Sequence, residues 1–394
     1  MPLFQYDDAA RQTLSASASW RAASARATLA ARSVTTVFGH RLFGVVPETH
    51  LGRTYVPEAP EGQKGLWHYW WQAHYVDCLV DAGWREYITG QRSTRSGWPS
   101  AGKLAARTIF TMGLRNGLKF TNKYFDDMAW LALAAQRSAQ LAQQANKKER
   151  RERRVAAYLT PVLQSAQTDD LGGGLYWHYL RDFKNTAATG PAAVYFARSG
   201  ETQRAAALVD WLWNNLRNPE TGLLMDGLKM VNGSVELVPH VFTYNQGPIL
   251  GAMLELGRPQ DLENISALVR SIAEHFTLSD GATLQAEGDG DGGLFTGILC
   301  RYLGLVAHDD RVPEETRVTA EALIRATARN LWDRRVETTW NGQDIIIFPG
   351  TTHLAENKEA TAASSTNTVG QQPWQLSQQV QAWMVFETVA RLEL

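Results

Sequence analysis

Lys123-Tyr-Phe-Asp-Asp-Met-Ala-Trp-Leu-Ala-Leu-Ala134 sets two adjacent carboxylates, Asp126 and Asp127, between aromatic residues and an apolar run. Tyr124 and Phe125 precede the pair and Trp130 follows it. No Gly or Pro occurs from Lys123 to Gln144. Trp130, Leu131, Leu133 and Ala134 are core or helix formers, so the stretch predicts a helix over 125–145. Two readings of the acids stand side by side. One is structural: a cap and a first-turn acid that complement the helix dipole. The other is chemical. Neighbouring carboxylates repel, burial raises the pKa of at least one, and a pair so divided can serve as acid and base across a single bond.

Helical periodicity continues outward in both directions. Helix-like segments fall at roughly 8–34, 65–89, 101–114, 125–145, 148–166, 184–199, 201–217, 243–257, 260–276, 293–308, 313–334 and 373–392. Strand-like runs are few and short, at Ser234–Val238 and Asp344–Phe348. Pro313 and Pro373 open the last two helices, Asn218-Pro219 closes the one carrying Trp211 and Trp213, and Gly257 fits a C-cap. Twelve helices alternating with long, Gly-rich, aromatic loops predict an all-α chain folded as an (α/α)6 toroid. Inner helices would pair with outer ones, and loops at one end would line a cleft. No Pro-, Gly- or Ser-rich linker divides residues 1–394, which read as a single domain. The polar stretch from about 346 to 372 (Thr351, Thr352, Ser364, Ser365, Thr366) reads as an elaborated loop before the last helix.

Composition narrows the function classes. A chain of 394 residues with 44% hydrophobic content supports a full core. A net charge of −1 exerts no general pull toward nucleic acid or anionic membrane. The N-terminal sequence lacks the basic start and apolar run of a secretory signal, and no stretch of about 18 apolar residues could span a membrane. A cytoplasmic monomer is the expectation. Cys78 and Cys300 sit in apolar helical stretches and read as buried thiols. The 14 Trp, 12 Tyr and 13 Phe suit a core, and also suit the C–H faces of sugars. Trp67, Trp71, His74 and Cys78 share one helical face that reads as core, with Trp67 at its start placed to reach a cleft. The run from Lys147 to Arg154 is interleaved by Glu149 and Glu152 and reads as solvated surface rather than a nucleic-acid patch.

Four further stretches carry chemistry. Asp169-Asp170 leads into a triple glycine, Gly172–Gly174, followed by Tyr176 and Trp177. The glycines allow close backbone approach. A phosphate cradle would need a preceding strand and a following Lys-Ser/Thr, which are missing. Lys184-Asn185-Thr186 is a helix start that reads either as a cap or as a sugar contact. Phe242-Thr-Tyr-Asn-Gln-Gly247 offers Tyr244 and Gln246 to hydroxyls, or Gln246 to the first helical turn. Glu287-Gly-Asp-Gly-Asp-Gly-Gly-Leu-Phe295 resembles the first half of a calcium loop but has Ile298 where the twelfth-position carboxylate belongs, so Asp291 reads as an acid at a helix mouth. No HExxH, no Cys-His ligand spacing and no G-x-S-x-G elbow occurs, so metal and serine hydrolases lose support. No cofactor is called for.

Taken together and in order, these stretches resemble glycoside hydrolase family 76, the endo-α-1,6-mannanases. Tyr124-Phe-Asp-Asp-Met-Ala-Trp130 resembles the family's aromatic-DD-x-x-W core, and Gly172–Trp177 with Lys184-Asn185 resembles its Gly-rich segment. Phe242–Gly247 resembles its Tyr-x-Gln-Gly segment, and Asp291–Leu303 its D-x-x-x-F-K-G-I helix. The likeness spans about residues 65–305. Two positions depart from the pattern: Thr296 stands where the family commonly has Lys, and Thr189 where Asn is frequent.

The resemblance implies an (α/α)6 fold and retaining chemistry on an α-1,6-linked mannose backbone, with a lipoglycan core as one form of that substrate. Asp126 would be the nucleophile and Asp127 the general acid/base. Trp67, Asn122, Tyr124, Gly173, Gly174, Trp177, Lys184, Asn185, Tyr244, Gln246, Asp291 and Phe295 are the expected substrate contacts. Alternatives on the same sequence are a mannan transglycosylase and a non-catalytic glycan-binding protein. A sugar epimerase would need paired cleft histidines, for which His178 and His240 are the loop candidates.

Overall fold

The computed structural model describes residues 17–349 and 373–394. The polar stretch containing Thr351, Thr352, Ser364, Ser365 and Thr366, and residues 8–16 of the first helical segment, lie outside the described residues. Twelve α-helices follow in chain order: α1 (Ala18–Val37), α2 (Tyr69–Thr89), α3 (Ala101–Arg115), α4 (Phe125–Gln144), α5 (Arg150–Ala166), α6 (Thr186–Arg198), α7 (Thr202–Leu216), α8 (Thr243–Leu256), α9 (Pro259–His275), α10 (Phe295–His308), α11 (Glu314–Asp333) and α12 (Leu376–Leu392). Even-numbered helices form the inner ring. Each packs on the next even one, and α12 returns to α2 to close the circle. Odd-numbered helices lean against them from outside. This is the (α/α)6 toroid that the helical count predicts.

The two rings are written differently in the sequence. Outer helices carry one apolar stripe: Val155, Leu159 and Leu163 on α5, Ile265, Leu268, Val269 and Ile272 on α9. Inner helices are buried almost all round, as from Thr296 to Gly304 on α10. Close crossings need small residues. A side chain at Gly251 of α8 would meet the Tyr302 ring of α10 at 2.6 Å. In the charged run that leads into the first turn of α5 the two acids turn inward: Glu149 and Glu152 are buried, Glu152 accepting from Ser138 at 2.9 Å, while Lys147, Lys148, Arg153 and Arg154 stay exposed.

Several predicted boundaries shift for physical reasons. The segment from 65 begins as helix only at Tyr69, because His68 sits in left-handed backbone (φ 43). Three two-residue strands, β1 (Gly39–His40), β2 (Leu51–Gly52) and β3 (Tyr55–Val56), precede α2; residues 184 and 185, expected as helix, belong instead to strand β4 (Phe183–Asn185), which pairs with β5 (Gly227–Val231), itself paired with β6 (Ser234–Val238). Trp374–Gln375 pairs antiparallel with Tyr55–Val56 ahead of α12. Val336–Trp340 and Gln343–Ile347 make a hairpin after α11, overlapping the strand expected at 344–348. Cys78 and Cys300 are buried free thiols.

An ion cluster occupies the barrel interior. Asp77 and Asp81 on α2 meet Arg137 of α4, Arg301 of α10 and Arg391 of α12. Arg137 Nη1 lies 2.5 Å from Asp77, Arg301 Nη2 2.7 Å from Asp81 and Arg391 Nη2 2.8 Å from Asp81. Arg85 of α2 grips Glu387 of α12 in a two-point pair at 2.6 and 2.8 Å. Burial alone would raise the Asp81 pKa, but Arg137, Arg301 and Arg391 outweigh it and hold the carboxyl below the usual range. A depressed carboxyl contributes stability above its unfolded pKa and loses it as pH falls through the folded value. Asp81→Asn leaves Asp77 alone to face three buried guanidiniums and should cost about 3–5 kcal/mol by urea unfolding. That deficit should hold steady from about pH 8 to pH 5 and shrink only in stronger acid.

Candidate active site

The N-terminal ends of the inner helices converge at one end of the barrel, and the loops arriving from outer helices rim it. A cavity of about 410 Å³ opens there. Its wall includes Trp70, Asp126, Trp130, Trp177, Asn185, Asp226, Tyr244, Asp291 and Phe295.

Asp126 and Asp127 stand in the first turn of α4. The cap reading does not describe them: Tyr124 is the N-cap and makes no side-chain cap bond. Asp126 Oδ2 accepts from the Trp177 indole at 3.1 Å, and its Oδ1 is buried without a partner. Asp127 accepts from the Asn122 amide, whose Oδ1 in turn accepts from Tyr124 N–H at 2.9 Å. Burial pushes the Asp126 carboxyl up to about 7 from 3.8, with Trp177 and the Asp127 N–H pulling back. Asp127 is raised well above the carboxylate range, first by burial and then by the Asp126 charge. Position in a helix first turn favours the ionised form by ~0.3–1 kcal/mol. A three-unit rise is worth about 4 kcal/mol in the opposite direction, so burial decides. Burial drives both carboxyls up, and the two titrate as one coupled pair.

Asp291 lies in the turn entering α10, where its Oδ1 accepts from the indoles of Trp70 (2.9 Å) and Trp71 (2.7 Å). Two indole donors on one oxygen fix the carboxylate at the mouth of the helix. Tyr244 and Phe295 pack with ring centroids 4.0 Å apart, and Phe242 and Trp70 extend that aromatic wall. Asn185 caps α6 through Ala188 N–H at 3.0 Å, as the cap reading has it, and also lines the cavity. Tyr124 packs on Trp177 at 5.1 Å on the rim.

Five expected substrate contacts are structural instead. Lys184 is fully buried. Its ammonium donates to the carbonyls of Thr168 (2.7 Å), Asp170 (2.6 Å) and Gly173 (2.9 Å), so it ties down the Gly-rich loop. Burial lowers its pKa to about 8. Gly173 and Gly174 are close-approach glycines, but what they approach is Trp211; a side chain on Gly174 (φ +77) would meet that ring at 2.6 Å. Gln246 spends its amide on Leu224 N–H (2.8 Å), Leu224 C=O (3.0 Å) and Phe242 C=O (3.0 Å). Trp67 packs on Tyr69 and under Arg115 in a separate depression. The two departures from the family pattern are also buried: Thr296 donates to Gln285 C=O at 2.7 Å, and Thr189 accepts from Leu175 N–H at 3.0 Å.

Sequence reading missed Trp70, Phe183, Asp226, Lys229, Val238 and Phe242, which line the cavity; Trp130 is buried in the core as expected and shows an edge to the cavity as well. Trp70 was findable: with the helix starting at Tyr69, the second Trp faces the mouth where Trp67 was expected. Asp226 is a carboxyl ahead of Gly227 at the start of β5, raised to about 6 by burial. His178 pairs with Asp182 at 3.6 Å and His240 packs on Phe242, and neither lines the cavity. Among the described residues no group of His, Cys, Asp and Glu is placed to hold a metal ion.

The sequence matches the model of glycosyl hydrolase family 76 over residues 41–388. No curated protein sequence matches the chain. Solved structures do. The α-1,6-mannanase GH76A of Salegentibacter sp. HEL1_6 is 25% identical, with 95% of this chain and 99% of that one covered and a TM-score of 0.72. A variant of that enzyme described as inactive, two consecutive aspartates replaced by asparagine, holds α-1,6-mannotriose; it is 24% identical with the same coverage and a TM-score of 0.72. A family 76 mannosidase of Bacteroides thetaiotaomicron VPI-5482 is 16% identical, covering 94% of this chain and 99% of its own, at a TM-score of 0.67.

Raised carboxyl pKa values have a stability signature. A carboxyl raised above its unfolded value costs stability once pH climbs past that unfolded value, up to its folded one. Replacing Asp126 and Asp127 together by Asn should therefore leave thermal stability nearly unchanged near pH 4 and raise it at pH 8, by about 2–4 kcal/mol. Calorimetry of both proteins across that range measures the gap.

Proposed function

The chain belongs to glycosyl hydrolase family 76, and from that premise we propose that it hydrolyses α-1,6-mannosidic bonds within a mannan backbone, with retention of configuration. The observation that carries the reading is geometric: two adjacent carboxyls in one helical turn, buried without a cation, with Asp126 on the cavity wall. In this reading Asp127, bonded to Asn122, carries the proton. Asp126, held by the Trp177 indole, is the one to ionise.

The reaction runs in two steps. Asp127 donates its proton to the glycosidic oxygen as Asp126 attacks the anomeric carbon, forming a mannosyl-enzyme and freeing the leaving sugar. Asp127, now ionised, takes a proton from water, which attacks the same carbon and displaces Asp126. Retaining chemistry asks for carboxyl groups about 5–5.5 Å apart. The Tyr244–Phe295 wall offers a ring surface to sugar C–H faces, and Asn185, Asp226 and Asp291 offer acceptors to the hydroxyls. Buried hydroxyl partners of this kind discriminate strongly between sugar epimers. The likeness to the Salegentibacter α-1,6-mannanase supports the choice of linkage. The form in which the mannan occurs, lipoglycan core included, is part of the proposal.

Linear α-1,6-mannooligosaccharides are the test, with the fresh product's anomer read by NMR. The wild type should release the α anomer first. Asp126→Asn and Asp127→Asn should each lose at least about a thousandfold in kcat. A β product would mean inversion and remove Asp126 as nucleophile. Full activity in either variant would overturn the pair.

A further inference from the structure

Among the described residues, eleven of the fifteen large hydrophobic side chains that remain exposed sit in the loops at the cleft end of the barrel. The densest sector surrounds the β5–β6 hairpin. Register pairs Leu228 with Leu237 and Met230 with Val235, so these four share one face. The opposite face carries Lys229 and Val238, which line the active-site cavity. A hairpin covering a site ordinarily turns polar residues to solvent. This one turns out Met230 (42% exposed), Val235 (56%) and Leu237 (45%).

The apolar strip continues along the rim. Met230 N–H donates to Asp182 C=O at 2.8 Å, joining the hairpin to the turn that displays Tyr179 (50% exposed) and Leu180 (81%). Tyr179 N–H donates to Lys123 C=O at 3.1 Å, joining that turn to the loop of Leu118 and Tyr124, both exposed. An exposed cation stands next in sequence to three of these side chains: Lys119 by Leu118, Lys123 by Tyr124 and Arg181 by Leu180. Lys229 and Glu236 pair on the hairpin's other face. The acid in the strip is Asp182, so it is locally positive although the chain as a whole is not.

We infer that this rim docks on a phospholipid surface with anionic headgroups. Apolar tips flanked by Lys and Arg match a bilayer interface, the tips entering the acyl boundary and the cations meeting phosphates. The strip is also continuous with the cleft, so the surface it rests on lies beside the bound glycan. The inference deepens the mannanase reading, since it makes the substrate a mannan displayed on a lipid anchor.

Flotation with phosphatidylcholine vesicles, with and without phosphatidylglycerol, tests it. The wild type should float with the phosphatidylglycerol vesicles, less so at high salt. Leu180→Ser/Val235→Thr/Leu237→Thr should lower the bound fraction about tenfold or more. Its thermal midpoint and its rate on soluble mannooligosaccharides should match the wild type. A wild type that never floats, or a triple variant that floats equally, overturns the inference. So does a wild-type dimer in light scattering that the triple variant dissolves, which assigns the strip to a second copy of the chain. Flotation needs no turnover: a chain that floats without cleaving mannan fails the mannanase reading alone, and one that cleaves without floating fails this inference alone.

Discussion

Two aspartates one turn apart, Asp77 and Asp81, stay ionised in the middle of the barrel because guanidiniums from three other inner helices converge on them. Buried ion pairs are seldom worth more than apolar packing, but a half-broken one is costly. The constraint is therefore geometric. Helices α2, α4, α10 and α12 must arrive together with their charges in register, or the interior is left with a bare ion. Arg85–Glu387 and Arg198–Glu255 repeat the device between α2 and α12 and between α6 and α8.

The same residue type behaves oppositely about two turns toward the N-terminal end of the inner ring. Asp126 and Asp127 have indole and amide donors but no cation, and burial drives both carboxyls up. Between the two groups lies His74, buried between Trp70 and Trp130 with no hydrogen-bond partner on either ring nitrogen and its pKa lowered to about 3 by burial. It is neutral throughout the physiological range. The layer separating the structural charges from the carboxyl pair at the cavity is thus aromatic and uncharged. The arginines of the ion cluster are kept from neutralising the pair above.

Much of this was legible in the chain. Twelve helices could be counted because outer helices repeat apolar residues at helical spacing and inner ones are apolar throughout. The Asp126–Asp127 pair stood out because acids among aromatics conflict with a simple cap. What stayed hidden depends on the third dimension. Lys184 looks like a ligand in sequence, and only the fold shows three loop carbonyls around its ammonium. Gln246 and the triple glycine mislead for the same reason: residues that shape a loop and residues that touch a ligand have the same chemistry. Trp70 was missed because helix onset is set by one left-handed residue, His68, and a four-residue error moves a ring from the mouth to the flank. Asp226 stands just ahead of a strand that exists only by pairing.

The last helix has a consequence for how the protein comes into being. Gln375, just ahead of α12, accepts from Gly290 N–H at 2.7 Å, Gln378 donates to Asp289 at 2.6 Å, and Gln381 accepts from Thr296 N–H at 3.1 Å. These three glutamines hold the turn that presents Asp291. Helix α12 also supplies Arg391 to the interior and closes the ring against α2, about 300 residues earlier in the chain. A ribosome that has delivered α1 to α11 has made a string of helix pairs with one open seam and a turn at Asp291 that lacks its glutamine anchors. Ring closure is a late, long-range event, and the apolar flanks of α2 and α10 must stay shielded until the final segment emerges.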